Sequence, residues 1–173
     1  MFSMAVAAVR KRRFAEAAVL AAVLLAPVAA VTAAPAAQAS VSHSAAISSN
    51  GGSRAGNAAL NWAERNAKGC WYSYGGTSCS RGYDCSGLVM EAFGHGAGIW
   101  LPHSTYAMLG NRHLHWIPLS QVRRGDLMFY GSGHVEINTM WYHETFGAHS
   151  TGQRVGYITW GPWWHPTAAY RVW

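Results

Sequence analysis

Nothing in the sequence resembles a nucleic-acid reader: there is no lysine run, no basic helix and no finger-like ligand spacing. No internal repeat is visible, which excludes solenoids and propellers. No stretch offers the roughly 20 strongly apolar residues that a transmembrane helix needs. Cysteine is scarce. Cys70, Cys79 and Cys85 lie within one window of sixteen residues. Their spacings match no compact zinc-ligand pair, so no metal site is expected there. An odd number of cysteines in an exported chain leaves at least one unpaired unless chains cross-link. Either Cys70 pairs with Cys79 across a glycine-rich loop and Cys85 is free, or Cys79 pairs with Cys85 and no free thiol remains at that position.

The start of the chain reads as an address. Arg10, Lys11, Arg12 and Arg13 form a basic n-region, Ala15 to Val31 is an Ala-rich apolar run, and Ala37-Gln38-Ala39 is a small-residue cleavage triplet. This is the pattern of a secretory signal peptide, with cleavage expected after Ala39. Residues 40–54, rich in Ser, Ala, Asn and Gly, read as a flexible linker, and residues 55–173 as one domain. The four basic residues and Glu16 leave with the signal, and the net charge falls from +6 to +3. A modestly basic exported domain is attracted to anionic envelope polymers, but this surplus sets no specificity. The expected product is a secreted, cell-wall-associated monomer without stable membrane insertion.

Within the domain, Asn57 to Ala67 reads as a helix capped by Asn57 and stopped by Gly69. Trp71 to Gly76 alternates bulky and small residues and is a short strand or an extended loop. A second helix opens at Cys85, capped by Asp84 and ended by Gly94, Gly96 and Gly98, and a third spans Leu101 to Gly110 with Ser104 or its neighbour as cap. His113 and His115 alternate with apolar residues in a short exposed strand, and are read as surface residues. From Leu127 onward the pattern changes to strand-length runs: Leu127–Tyr130, Val135–Thr139, Val155–Ile158 and Ala168–Val172. Helices first and strands afterwards, without βαβ alternation, predict an α+β fold with a C-terminal antiparallel sheet.

The chemistry centres on Gly82-Tyr83-Asp84-Cys85-Ser86-Gly87-Leu88-Val89. A cysteine in the first turn of a helix lies among exposed N–H groups at the positive end of the dipole, which stabilises its thiolate. Such a nucleophile needs a base within hydrogen-bond reach and a third group to orient that base. His134 follows the turn Gly131-Ser132-Gly133 and begins a strand; His149 lies fifteen residues later near a neighbouring strand. Two antiparallel neighbours could set the imidazoles side by side, as a Cys-His-His triad. His143 is a rival for the third place. Trp160, Trp163 and Trp164 could line a carbohydrate or peptide groove, or pack in the core.

The blocks Gly69-x-Trp71-Tyr72-Ser73-Tyr74-Gly75-Gly76, Tyr83-Asp84-Cys85-Ser86-Gly87-Leu88-Val89, Leu101-Pro102-His103-Ser104-Thr105, Arg124-Gly125-Asp126-Leu127-Met128-Phe129, Gly133-His134-Val135-Glu136-Ile137 and Ala148-His149 occur in this order. Together they resemble the NlpC (p-sixty) family of bacterial cell-wall cysteine peptidases. The resemblance implies a papain-like α+β domain without cofactor that cuts amide bonds in peptidoglycan stem peptides, typically between D-glutamate and a diamino acid. It implies Cys85 as nucleophile, His134 as base and His149 as the orienting third residue. Tyr72 matches an oxyanion-hole or substrate-binding side chain, while Asp84 and Ser86 would line the primary pocket. The other readings are a catalytically idle wall-binding domain and an amidase of the CHAP type. Trp71, His103, Met108 and Glu136 stand where proline, arginine, glutamine and glycine are common in the family. Strand alternation is taken to aim Glu136 away from His134, which gives it a structural role.

Overall fold

The computed structural model describes residues 51–173. The expected signal peptide and all but the end of the expected linker lie outside the described residues.

Helix α1 (Arg54–Asn66) starts where Ser53 caps it, its hydroxyl accepting the Gly56 N–H at 2.9 Å. The start is three residues earlier than the sequence suggests, and Arg54 belongs to the helix rather than the linker. Asn57 is not the cap; its amide donates to the Ser53 carbonyl from inside the first turn. The helix buries Ala59, Leu60 and Ala63, spaced to share one face. Residues 71–76 form an extended loop held by single bridges from Trp71 to Arg154 and from Tyr72 to Tyr83. A two-stranded ribbon follows, β1 (Thr77–Ser78) and β2 (Gly82–Tyr83). Cys70 and Cys79 are joined by a disulfide, and Cys85 is free and buried.

Helix α2 (Cys85–Ala97) continues through Gly94 and Gly96 and stops only at Gly98, whose φ of 73° is the left-handed C-cap. The first two glycines serve close packing instead of termination. The Trp100 ring lies where a Gly94 side chain would be, and a Cβ at Gly96 would approach the Ala58 carbonyl of α1 to 2.6 Å. Helix α3 (Thr105–Leu109) is capped by Ser104 and closed by Gly110.

The remaining chain builds β3 (Leu114–Ile117), β4 (Leu127–Tyr130), β5 (His134–Asn138), β6 (Glu144–Gly147), β7 (Gly156–Thr159) and β8 (Ala168–Val172). They form one antiparallel sheet in the order β3-β8-β4-β5-β6-β7. Strand β6 has only Thr145 and Phe146 as strong strand formers, and the sequence pattern does not reveal it. Leu127, Phe129, Val135, Ile137 and Phe146 point from one face into the core shared with Leu60, Leu88 and Phe93 of the helices. Each such side chain contributes about 1.5–3 kcal/mol when fully buried. The other face carries Met128 and Tyr130, packed with Ile117 and Ala169.

The Arg-Gly-Asp block fastens the two halves. Arg124, 1% exposed, donates to Asn57, Asn61 and Glu64 of α1, the last at 3.0 Å. Gly125, at φ 83°, abuts the backbone of Gly56 so closely that no side chain fits. Asp126 receives a two-pronged contact from Arg171 of β8 at 2.8 and 2.9 Å.

Candidate active site

Cys85 is the first residue of α2. Its position follows from Asp84, whose Oδ1 accepts the Gly87 N–H at 2.6 Å and the Ser86 hydroxyl at 3.1 Å. Oδ2 accepts the Gly75 N–H at 2.8 Å, tying the Tyr-rich loop to the helix start. His103, in the place of the family's common arginine, brings Nε2 to 3.0 and 3.1 Å from the two oxygens. The cap of α2 is therefore also the centre of one wall of a groove. This groove, about 520 Å³, is lined by Tyr72, Asp84, Cys85, Ser86, His103 and His134 among others. Burial, and then the neighbouring Cys85 and Asp84, push the Tyr72 phenol above its ordinary pKa, so it stays a hydrogen-bond donor.

His134 opens β5 and comes to the thiol from the sheet. Its Nε2 lies 3.0 Å from Glu136 Oε1. The ring also interacts with Cys85, which lines the same groove. Burial opposes a charged imidazole here, but hydrogen bonding with Cys85 and Glu136 outweighs it and carries His134 up to about 9. Glu136 itself is fully buried. Burial alone would raise its pKa; bonds from His134, His149 and Thr145 bring it down to about 2. The carboxylate has four donors: His134 and His149 (Nδ1, 2.9 Å) on Oε1, Tyr130 (3.2 Å) and Thr145 on Oε2. A buried anion persists when its oxygens are saturated in this way.

The expectation that Glu136 faces away from His134 is overturned. A strand has a period of two, so residues 134 and 136 share a face, and the opposite face belongs to Val135 and Ile137. That rule, applied to the His-x-Glu spacing, was the signal in the sequence for this residue. A second signal is Gly147, directly beside Glu136 on β6: a Cβ there would lie 2.7 Å from Glu136 Cγ. The strand neighbour is small where the acid needs room.

Tyr72, Asp84, Cys85, Ser86 and His134 thus meet at one groove, and His149 stands just beyond β6 behind the base. The rings of His134 and His149 are 5.4 Å apart and edge-to-face, with Glu136 Oε1 serving both. The ligand atoms of His134, Glu136 and His149 lie within 4.8 Å of one another, a spacing that a metal ion could bridge. His143 is elsewhere, stacked between Tyr142 and Trp160. His113 contacts the Trp173 carbonyl and His115 stacks on the Trp173 ring, away from the groove. Trp164 stacks on Tyr130 at 4.7 Å and presents its edge or face to His134 and His149 at 5.5 and 5.4 Å, covering the cluster. Trp163 beside it is 99% exposed.

A thiol at a helix N-terminus, facing an imidazole that is hydrogen-bonded to a buried carboxylate, is a nucleophile–base pair. That pair performs nucleophilic acyl transfer. No helix among the described residues is long and apolar enough to cross a membrane.

The fold and sequence blocks have relatives among known proteins. A 1.6 Å structure of the peptidoglycan hydrolase RipB from Mycobacterium tuberculosis superposes with a TM-score of 0.58 at 26% identity, covering 68% of this chain and 64% of that one. The peptidoglycan endopeptidase RipA of M. tuberculosis is 43% identical over 82 residues, which is 44% of this chain and 16% of RipA. The probable endopeptidase YafL of Escherichia coli is 37% identical over 59 residues, 34% of this chain and 24% of YafL. The chain thus spans less than a quarter of the length of either curated relative. The NlpC/P60 family model matches residues 69–159, more than half of the chain and inclusive of Cys85, His134, Glu136 and His149, and the protein belongs to the NlpC/P60 family.

Proposed function

We propose that this protein is an exported cysteine endopeptidase that hydrolyses peptidoglycan stem peptides, at the bond between D-glutamate and the following diamino acid. The observation that carries the reading is the meeting of the Cys85 helix start with the His134 imidazole at the floor of a groove. The thiolate attacks the amide carbon, and the Cys85 N–H and the Tyr72 hydroxyl receive the developing oxyanion. Removing one such donor costs about 2.7–4 kcal/mol in comparable chemistry. His134 then gives its proton to the leaving amine, and the C–N bond breaks to leave a thioester. Water, deprotonated by His134, releases the acid product and restores the thiol. His149 matches the family's third polar position behind the base, and Asp84 and Ser86 shape the substrate pocket. Export is supported by the basic n-region and Ala-x-Ala triplet, and by a disulfide of the kind that persists in oxidising compartments.

The test is digestion of purified peptidoglycan with the protein and with Cys85→Ala, followed by mass analysis of the fragments. New N-termini on the diamino acid, from the unsubstituted protein alone, are expected. Free stem peptides beginning at L-alanine would assign an amidase, and equal fragments from both proteins would remove Cys85 as nucleophile.

A further inference from the structure

The geometry points to Glu136 as the residue that orients His134, with His149 acting through Glu136 rather than on the base itself. This rests on the reading of Cys85 and His134 as nucleophile and base, and it changes what the third member does.

The argument is one of saturation. An imidazole has two ring nitrogens. His134 Nε2 is taken by Glu136 Oε1 at 3.0 Å, and the same ring interacts with Cys85 across the groove. His149 directs Nδ1 to the same oxygen at 2.9 Å, and no hydrogen bond joins the two rings. Glu136 fixes the His134 tautomer and by its charge favours the protonated ring. His149, with Tyr130 and Thr145, supplies the donors that keep a fully buried carboxylate ionised and in one orientation. The titratable groups that face Glu136 are His134, His149 and Tyr130, from β5, the segment after β6, and β4; Cys85 faces His134 from α2. Gly147 leaves the space, and Trp164 covers the cluster. Both residues are positioning groups, since neither touches the reacting atoms.

Glu136→Gln keeps the shape and removes the charge. The readouts are the pH profile of Cys85 alkylation by iodoacetamide, which needs no substrate, and the rate of peptidoglycan digestion. In Glu136→Gln, alkylation at neutral pH is expected to fall at least about tenfold and its inflection to move up. Digestion is expected to fall on the order of 10³-fold or more, as when the anion of a comparable triad is neutralised. His149→Asn, which retains an N–H donor for Glu136, is expected to stay within about tenfold, while His149→Phe loses on the order of 10–100-fold. An unchanged alkylation profile in Glu136→Gln, together with loss in His149→Asn as deep as in Cys85→Ala, would place His149 directly on the base and overturn the inference. Should Glu136→Gln not fold, the contrast between His149→Asn and His149→Phe still decides: equal loss in both overturns it. Failure of the unsubstituted protein to cut peptidoglycan, with the alkylation shift intact, would reject the proposed substrate and leave the role of Glu136 standing.

Discussion

The two sides of the groove are built by different means. On the helical side, one residue does the local work: Asp84 caps α2, sets Cys85 in the first turn, and binds Gly75, Ser86 and His103 within one short radius. On the sheet side nothing is local. His134, Glu136, Tyr130, Thr145 and His149 come from three strands and a following loop, and they meet because register aligns one face of β4, β5 and β6. Cys85 is placed by a cap, His134 by a sheet. A helix start tolerates change far from it, whereas the face of a sheet depends on each neighbour keeping its size and register.

Substitutions that separate the two sides order themselves by expected effect. Cys85→Ala should reduce peptidoglycan cleavage to the blank, a loss on the order of 10⁶-fold when such a nucleophile is removed, with melting temperature nearly unchanged. Retained cleavage would place the nucleophile elsewhere. Arg124→Leu attacks the fastening between α1 and the sheet, leaving Glu64 without its buried partner, and should cost about 3–5 kcal/mol in denaturant unfolding. A loss below about 1 kcal/mol would show that the halves are held by apolar packing alone. Gly147→Ala pushes a methyl against Glu136 and should lower turnover on the order of 10–100-fold at little cost to Cys85 placement, a pattern read by comparing turnover with the fit of a peptide aldehyde. Trp164→Ala opens the cluster to water and should cost about tenfold, equivalent to about 1.4 kcal/mol of barrier.

The smallest effect is in the pH dependence of stability. His134 is raised from 6.5 to about 9, so its stabilising contribution is complete below pH 6.5 and is lost as pH rises through about 9. Glu136 is lowered from 4.5 to about 2, so its contribution is present above pH 4.5 and is lost as pH falls toward about 2. Melting temperature followed from pH 2 to 10 should therefore decline at both ends, and the alkaline decline should begin at lower pH in Glu136→Gln, where only Cys85 still raises the imidazole. An identical alkaline decline in the variant would mean that another group titrates there.

The sequence made the helical side legible. Asp84 as cap, Cys85 in the first turn and a cap near Ser104 follow from short-range rules of capping, whereas the cysteine count left two pairings open and the structure chose Cys70–Cys79. Where local rules misled, a neighbour distant in the chain had intervened. Gly94 and Gly96 look like helix breakers and are instead packing notches for Trp100 and α1. Asn57 looks like a cap and is instead drawn to Arg124 across the core.

By itself, the sequence determined the α+β order, the helix that opens with Cys85, the strand that opens with His134, and the family. These are readable because capping and alternation act over a few residues. Only the tertiary structure decided that His149 reaches His134 through a carboxylate, that Gly147 makes room for it and that Trp164 covers it. Those relations depend on which strands lie side by side and in what register, a choice settled by the burial of Val135, Ile137 and Phe146 on the opposite face.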